Sequence, residues 1–219
     1  MELDGTKNFQ GLKLINRIKY NFIINNSSRN CLEFFFFCYN ILTLINDNHK
    51  KGEKMAKQKI NTPQLKARPV SYSMINDHTY LLMPSDLNHN NTAFGGKIME
   101  IADRVAGTVA MRHSNSTCAT LLVDSMKFLK PAIQGDLLVF KASLNRAWGS
   151  SMEIGIKVYA EDTKIDERKH ILSAYFTFVA LDENKKPKQI RSVMPKTTEE
   201  KRRYKEANER REQRLKNKR

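Results

Sequence analysis

Cysteine is scarce. Cys31, Cys38 and Cys118 are the only three in 219 residues, and their spacing fits neither a CxxC pair nor a zinc site. That excludes a disulfide scaffold and leads us to expect a reducing, cytoplasmic setting. The five histidines (His49, His78, His89, His113 and His170) are scattered, with no HxxxH pair or Cys/His cluster, so no metal is expected. The sequence also lacks GxGxxG, a Walker loop and a GxSxG elbow. These absences set aside dinucleotide enzymes, P-loop NTPases and elbow-type serine hydrolases. No apolar run approaches the ~20 residues that a membrane helix needs. The longest, Leu32–Ile45, is interrupted by Glu33 and Asn40 and begins too late for a signal peptide.

The composition is 40% hydrophobic and 28% charged, which is globular. The formal charge of +15 is unevenly spread. Residues 1–68 carry net +7, residues 69–195 net +2 and residues 196–219 net +6. The basic signal belongs to the ends, and no nucleic-acid reading element accompanies it, so no specific nucleic acid is expected as a partner. The first part is rich in Asn, Ile, Phe and Lys without clear periodicity. We expect residues 1–69 to be an extension, with the functional chain starting at or near Met55. Residues 70–185 are then the folded domain, and residues 186–219 a basic helical tail.

Pattern sharpens from Val70. Val70–Ile75 and Thr79–Met83 read as short strands around a turn at Asn76-Asp77-His78. A polar loop, Pro84 to Gly96, leads into an amphipathic helix at about 96–112. In that helix Ile98, Met99, Ile101, Ala102, Val105, Ala106, Val109 and Ala110 share one arc. The period then changes to two. Thr120–Lys130, Leu137–Arg146, Ser151–Ala160 and Ile171–Asp182 read as strands joined by short turns, hence antiparallel neighbours. The expected fold is α+β, an antiparallel sheet wrapped around one long central helix. One helix cannot cover both faces, so a second subunit is expected on the other face or the edge. The tail from Thr198 is either a solvated charged helix or an anion-binding arm.

Two features could support chemistry. Gly95 and Gly96 precede a helix, where unpaired N–H groups and the positive dipole end can hold an oxyanion. Gly-Gly before a helix can equally be simple turn chemistry. Asp103 is an acid on the shoulder of an apolar face, beside Met99, Ala106 and Ala110. It is either a rim acid paired with Arg104 or Arg112, or a partly desolvated base or nucleophile. Seven residues separate Gly96 from Asp103, about 10 Å along the helix. A reacting carbonyl needs both within ~3 Å. A two-fold dimer, with amides of one chain meeting the acid of the other, satisfies both. Cys118 reads as an inert thiol, and Trp148 as a packing residue or an adenine stack.

Four blocks occur in order: PSDLNHNNTAFGGKIMEIAD, TLLVDSMKFLKPAIQGD, NRAWGSSMEIGIKV and SAYFTFVALDE. Together they resemble the acyl-CoA thioester hydrolases of the hotdog superfamily, cytosolic type. The resemblance implies hydrolysis of a fatty acyl-CoA to free acid and CoA. It implies no separate cofactor and no metal, since CoA belongs to the substrate. It puts the catalytic aspartate at Asp103 and a polar partner at Asn90, Asn91 or Thr92. It puts CoA contacts at Leu121, Leu122 and Val123, at Ser150, Ser151 and Met152, and at Arg210 or Arg211. It implies at least a homodimer, with a hexamer, a trimer of dimers, as the larger family form.

Overall fold

The computed structural model describes residues 65–217, residues 163 and 166 apart. The expected start at Met55 and the apolar run at 32–45 lie outside the described residues. The order is β1 (Arg68–Pro69), a 3-10 turn (Val70–Tyr72), β2 (Ile75–Leu81), a second 3-10 turn (Pro84–Asp86), α1 (Gly95–Ser114), β3 (Thr117–Phe128), β4 (Leu137–Trp148), β5 (Ser151–Asp162), β6 (Glu167–Leu181), β7 (Val193–Met194) and α2 (Thr198–Lys216). β1 and β7 form a short parallel pair. The other strands make one antiparallel sheet in the order β2-β4-β5-β6-β3. β4, β5 and β6 are sequential neighbours because their connections are too short for a crossover. Gly149, at φ 45°, closes the tight β4–β5 turn.

α1 packs across β3, β4, β5 and β6. Its apolar arc meets Leu144, Met152, Ile154, Phe176 and Phe178 in one core, all of them buried. Each fully buried side chain of this kind contributes roughly 1.5–3 kcal/mol against exposure. The helix stops at Asn115, whose left-handed backbone (φ 51°) returns its N–H to Met111 O. Arg112 occupies the last turn, where the dipole favours a cation.

The expected turn at Asn76–His78 is not a turn. These residues lie inside β2, and a register irregularity between Ile75 and His78 accommodates them. β2 is an edge strand, so polar residues there need no second ladder partner. Val70–Tyr72 is 3-10 rather than strand.

The tail is helical, as expected, but it is packed on the sheet rather than solvated on all sides. α2 begins with a capping box: Thr197 Oγ1 accepts from Glu200 N (3.1 Å), and the Glu200 carboxylate accepts from Thr197 N (3.1 Å). Ala207 is fully buried, and the helix lies over β4 on the sheet face opposite α1. That outer face carries buried polar groups: Ser143, Asn145, Glu153 and Thr177. α2 supplies their partners. Arg203 donates to Ser143 Oγ (3.0 Å), Arg210 grips Glu153, and Arg214 pairs with Asp124. The outer face is therefore covered in part by this chain's own tail. The β3 edge is left open.

Candidate active site

The loop before α1 is built around Asn88. Its Oδ1 accepts from Asn90 N (2.9 Å) and Thr92 N (3.3 Å), and its Nδ2 donates to Thr92 Oγ1 (3.0 Å). Asn91 sits at φ 58°, a conformation asparagine tolerates well. Asp86 closes the loop's far end, accepting from Tyr80 Oη (2.9 Å) and Met83 N (3.0 Å). The chain then turns into α1 at Phe94. No side chain caps the helix, and the amides of Gly95 and Gly96 have no acceptor among the described residues. Aromatic rings stand against both glycines. A Cβ on Gly95 would lie 3.3 Å from Phe128, and one on Gly96 would overlap the Phe94 ring. The two amides thus open into an apolar rim with unused donors, the arrangement that receives a developing oxyanion.

Asp103 faces the β3 side of the helix. Its Oδ1 accepts from Thr120 Oγ1 at 2.7 Å. It makes no ion pair with Arg104, which bonds Glu100 instead (2.5 Å). Burial pushes the Asp103 carboxyl above the usual range, opposed by the Thr120 hydrogen bond and by Arg104. A half-buried carboxylate with a raised pKa is a stronger proton acceptor than a solvated one. Beside it, β3 is irregular at Thr120/Leu122 and again at Val123/Ser125. These breaks turn Leu122 and Val123 outward, 42% and 38% exposed on the free edge. With Phe94, Met99, Phe128 and Ile133, all exposed, they form an apolar surface around the amides and the acid.

The remaining expected residues scatter. Asn90 and Asn91 point outward from the loop, while Thr92 is tied to Asn88. Ser150 and Ser151 shape the β4–β5 turn, with Ser150 O accepting from Ala180 N (2.9 Å). Met152 is corrected: it is 0% exposed within the core, so it cannot touch an outside ligand. Arg210, one of the two expected CoA contacts, is engaged within the chain. Its guanidinium is spent on Glu153 (2.6 and 3.1 Å) and lies 3.7 Å from the Tyr175 ring centre. Arg211 has no carboxylate partner among the described residues. Cys118 is half-buried, with its thiol pushed up by burial. Among the described residues, no group of three His, Cys, Asp or Glu side chains could hold a metal, and no helix is long and apolar enough to cross a membrane.

Sequence reasoning misses Thr120 and Asn88. Threonine is an ordinary strand former and asparagine an ordinary turn former. Only the fold shows that one hydroxyl reaches Asp103 and that one amide organises the loop.

Comparison with known proteins agrees with this architecture. The thioesterase superfamily matches residues 90–166. Protein VdlD of Helicobacter pylori is 42% identical over 136 residues, which cover 62% of this chain and 78% of that protein. A solved apo-hexameric acyl-CoA thioesterase is 37% identical, with a TM-score of 0.68, covering 70% of this chain and 97% of its own. An acyl-CoA hydrolase of Staphylococcus aureus, solved in complex with butyryl-CoA, CoA and CoA disulfide, is 34% identical, with a TM-score of 0.65 and coverage of 69% and 92%. That enzyme has also been solved as three separate alanine variants. They replace an asparagine, an aspartate fifteen positions later and a threonine seventeen positions beyond that. The wrapped sheet, the buried helix and these matches along nearly the whole of solved relatives lead to one conclusion: the chain belongs to the thioesterase superfamily, among the hotdog-fold acyl-CoA thioester hydrolases.

Proposed function

We propose that this protein hydrolyses acyl-CoA thioesters to a free fatty acid and CoA, with Asp103 as the reacting carboxylate. The observation that carries the reading is the half-buried Asp103, held by Thr120 at an open sheet edge. Asn88, Asp103 and Thr120 repeat the residue types and both spacings of the positions varied in the Staphylococcus aureus enzyme. The residue types favour Asn88 over Asn90 and Thr92 as the loop's contribution.

In this mechanism the Gly95 and Gly96 amides receive the carbonyl oxygen. Asp103 takes the proton of an attacking water, or attacks the carbonyl carbon itself to form an acyl anhydride that a water then cleaves to the free acid, restoring the carboxylate. The C–S bond breaks, and the CoA sulfur leaves and is protonated. Thr120 fixes the orientation of the carboxylate. No cofactor is needed, because CoA arrives with the substrate. Leu121, Leu122 and Val123 line the approach on the free edge.

The active unit is a homodimer at least, and a hexamer is the larger form we propose. Gly96 and Asp103 lie about 10 Å apart along one helix, so one chain lends the amides and its partner lends the acid. The functional domain is residues 70–185, followed by the tail 186–219 whose helix Thr198–Lys216 packs on it, and the setting is the cytoplasm. Two assays test this. The purified protein should release free thiol from a series of CoA esters, and no release from any chain length overturns the activity. Asp103→Asn and Asn88→Ala should each be inactive, and mixed, reassembled subunits should recover up to about a quarter of the activity. No recovery overturns the shared site.

A further inference from the structure

Tyr80 touches both sides of the turn that carries the Gly95 and Gly96 amides. On one side its hydroxyl donates to Asp86 Oδ2 (2.9 Å), at the start of the loop. On the other, the Lys97 ammonium in the first turn of α1 lies over its ring, 5.5 Å from the centre. Lys97 is kept there by Glu100 (3.5 Å). Tyr80 itself is fixed by the sheet, because its backbone pairs with Leu138 of β4. One strand thus reaches both ends of the turn.

Asp86 passes this hold on to the amides. Its carboxylate also accepts from Met83 N (3.0 Å), so one oxygen, Oδ2, gathers both bonds. Its main-chain carbonyl accepts from Phe94 N at 2.7 Å. Farther along, Lys97 N and Ile98 N turn back to Phe94 O (2.9 and 3.3 Å). The amides of Gly95 and Gly96 lie between these bonds and are left free. Nothing local aims them. Two successive glycines constrain the backbone least, and no side chain caps the helix. Their direction follows from the Phe94 peptide, and that peptide is set by Asp86. Asp86 is 7% exposed and has no cationic partner among the described residues. A carboxylate buried on those terms is costly, so its two hydrogen bonds hold something that matters.

We infer that Tyr80 is a positioning residue for the oxyanion donors, acting through Asp86. It stands away from the reacting atoms. β2 is the sheet edge opposite β3, and Tyr80 faces a groove of about 680 Å³ on the flank of α1 that carries Arg104, not Asp103. Its role rests on the hydrolase reading, because the aim of two amides counts only when an oxyanion meets them. Such donors act by being oriented before charge develops, so a small misalignment weakens the transition state and not the bound substrate.

The test compares full-length wild type with Tyr80→Phe, Asp86→Ala and Asp86→Asn in thiol release, in inhibition by CoA and in thermal unfolding. A lost oxyanion donor costs about a hundredfold or more in kcat and a misaimed one less, so Tyr80→Phe should lower kcat about tenfold and Asp86→Ala about a hundredfold. KM and the inhibition constant of CoA should stay within about twofold of wild type, because CoA has no carbonyl for the amides to meet. Asp86→Asn keeps an oxygen that can accept from both Tyr80 Oη and Met83 N, so its kcat should lie within about threefold of wild type. A merely structural role gives another pattern: kcat, KM and CoA inhibition worsen together with the melting temperature, and Asn does no better than Ala. That pattern overturns the assignment, and so does a wild-type kcat in Tyr80→Phe. Should Asp86→Ala fail to fold, Tyr80→Phe and Asp86→Asn decide by themselves. A wild type that releases no thiol from any CoA ester overturns the hydrolase reading and this role with it. A working wild type with an unaltered Tyr80→Phe overturns this role alone, so the two failures are distinct.

Discussion

The hydroxyl of Thr120, on the edge strand β3, donates a 2.7 Å hydrogen bond to the Asp103 carboxylate in the middle of α1. This bond opposes burial, which pushes the same carboxyl upward. Thr120→Val removes the opposition while leaving the volume nearly unchanged. The carboxyl then rises further, and less of it is ionised at any given pH. The acid limb of the kcat/KM profile should move to higher pH, with activity at pH 7 lower by about tenfold or more, the worth of a hydrogen bond to a charged group. A profile with an unmoved acid limb would show that the hydroxyl does not tune Asp103.

Asp103 also costs stability. Its folded pKa is raised, so the native state holds this proton more tightly than the unfolded chain does. The stabilising effect of that proton is complete below the ordinary carboxylate range. It is lost as pH rises through the window up to the raised value. At neutral pH the ionised group is therefore a net burden on the fold. Asp103→Asn should melt at a higher temperature than wild type at pH 7, and the gap should close near pH 3–4. The same variant should lose about a hundredfold or more in hydrolysis. Thermal scans at the two pH values, beside a thiol-release assay, check both halves.

His113 works in the opposite direction. Its side chain is 0% exposed, Nε2 lies 2.9 Å from the Arg191 carbonyl oxygen, and Nδ1 has no partner. Burial lowers its pKa, the nearby charges of Arg68 and Arg191 push the same way, and the Arg191 carbonyl opposes. The unfolded chain therefore takes up the proton first as pH falls. Stability from this group is intact above about pH 6.5 and declines below it. Denaturant unfolding at pH 5 and pH 7.5 should show this loss. His113→Phe should be less stable at pH 7.5, because the Arg191 carbonyl loses its donor, but it should lose less between the two pH values. An equal slope for both proteins would remove His113 as the source.

How much of this was legible beforehand depends on where each signal lives. α1 and strands β3 to β6 are visible because a period of 3.6 gives way to a period of two, and the apolar arc of α1 meets the core except at Met99, which is exposed. Asp103 stands out because an acid on an apolar shoulder is rare. The rest depends on contacts distant in sequence. Thr120 matters only because β3 returns beside α1. Arg210 reads as an exposed charge in a charged helix until Glu153, 57 positions away, is seen beneath it. Met152 alternates with Ser151, and one position decides core against surface. The polar triplet Asn76–His78 reads as a turn, yet an edge strand tolerates it.

Two glycines give a final prediction with opposite signs. A Cβ on Gly107 would lie 3.5 Å from Phe178, an ordinary contact. Gly107→Ala should therefore gain helix propensity, up to about 1 kcal/mol, and raise stability. A Cβ on Gly155 would come within 2.9 Å of Asn145 Nδ2 and 3.2 Å of its Oδ1. Asn145 cannot swing aside, because it is 2% exposed and its Nδ2 holds Glu153 at 2.9 Å. Gly155→Ala must push either the amide off Glu153 or β5 off β4, at a cost of about 1–3 kcal/mol. Through Glu153 the strain reaches Arg210 and the seating of α2. Urea unfolding of both variants should give midpoints on opposite sides of wild type. A Gly155→Ala midpoint equal to wild type would mean that the outer-face network yields freely, and that Glu153 does not hold the helix in register.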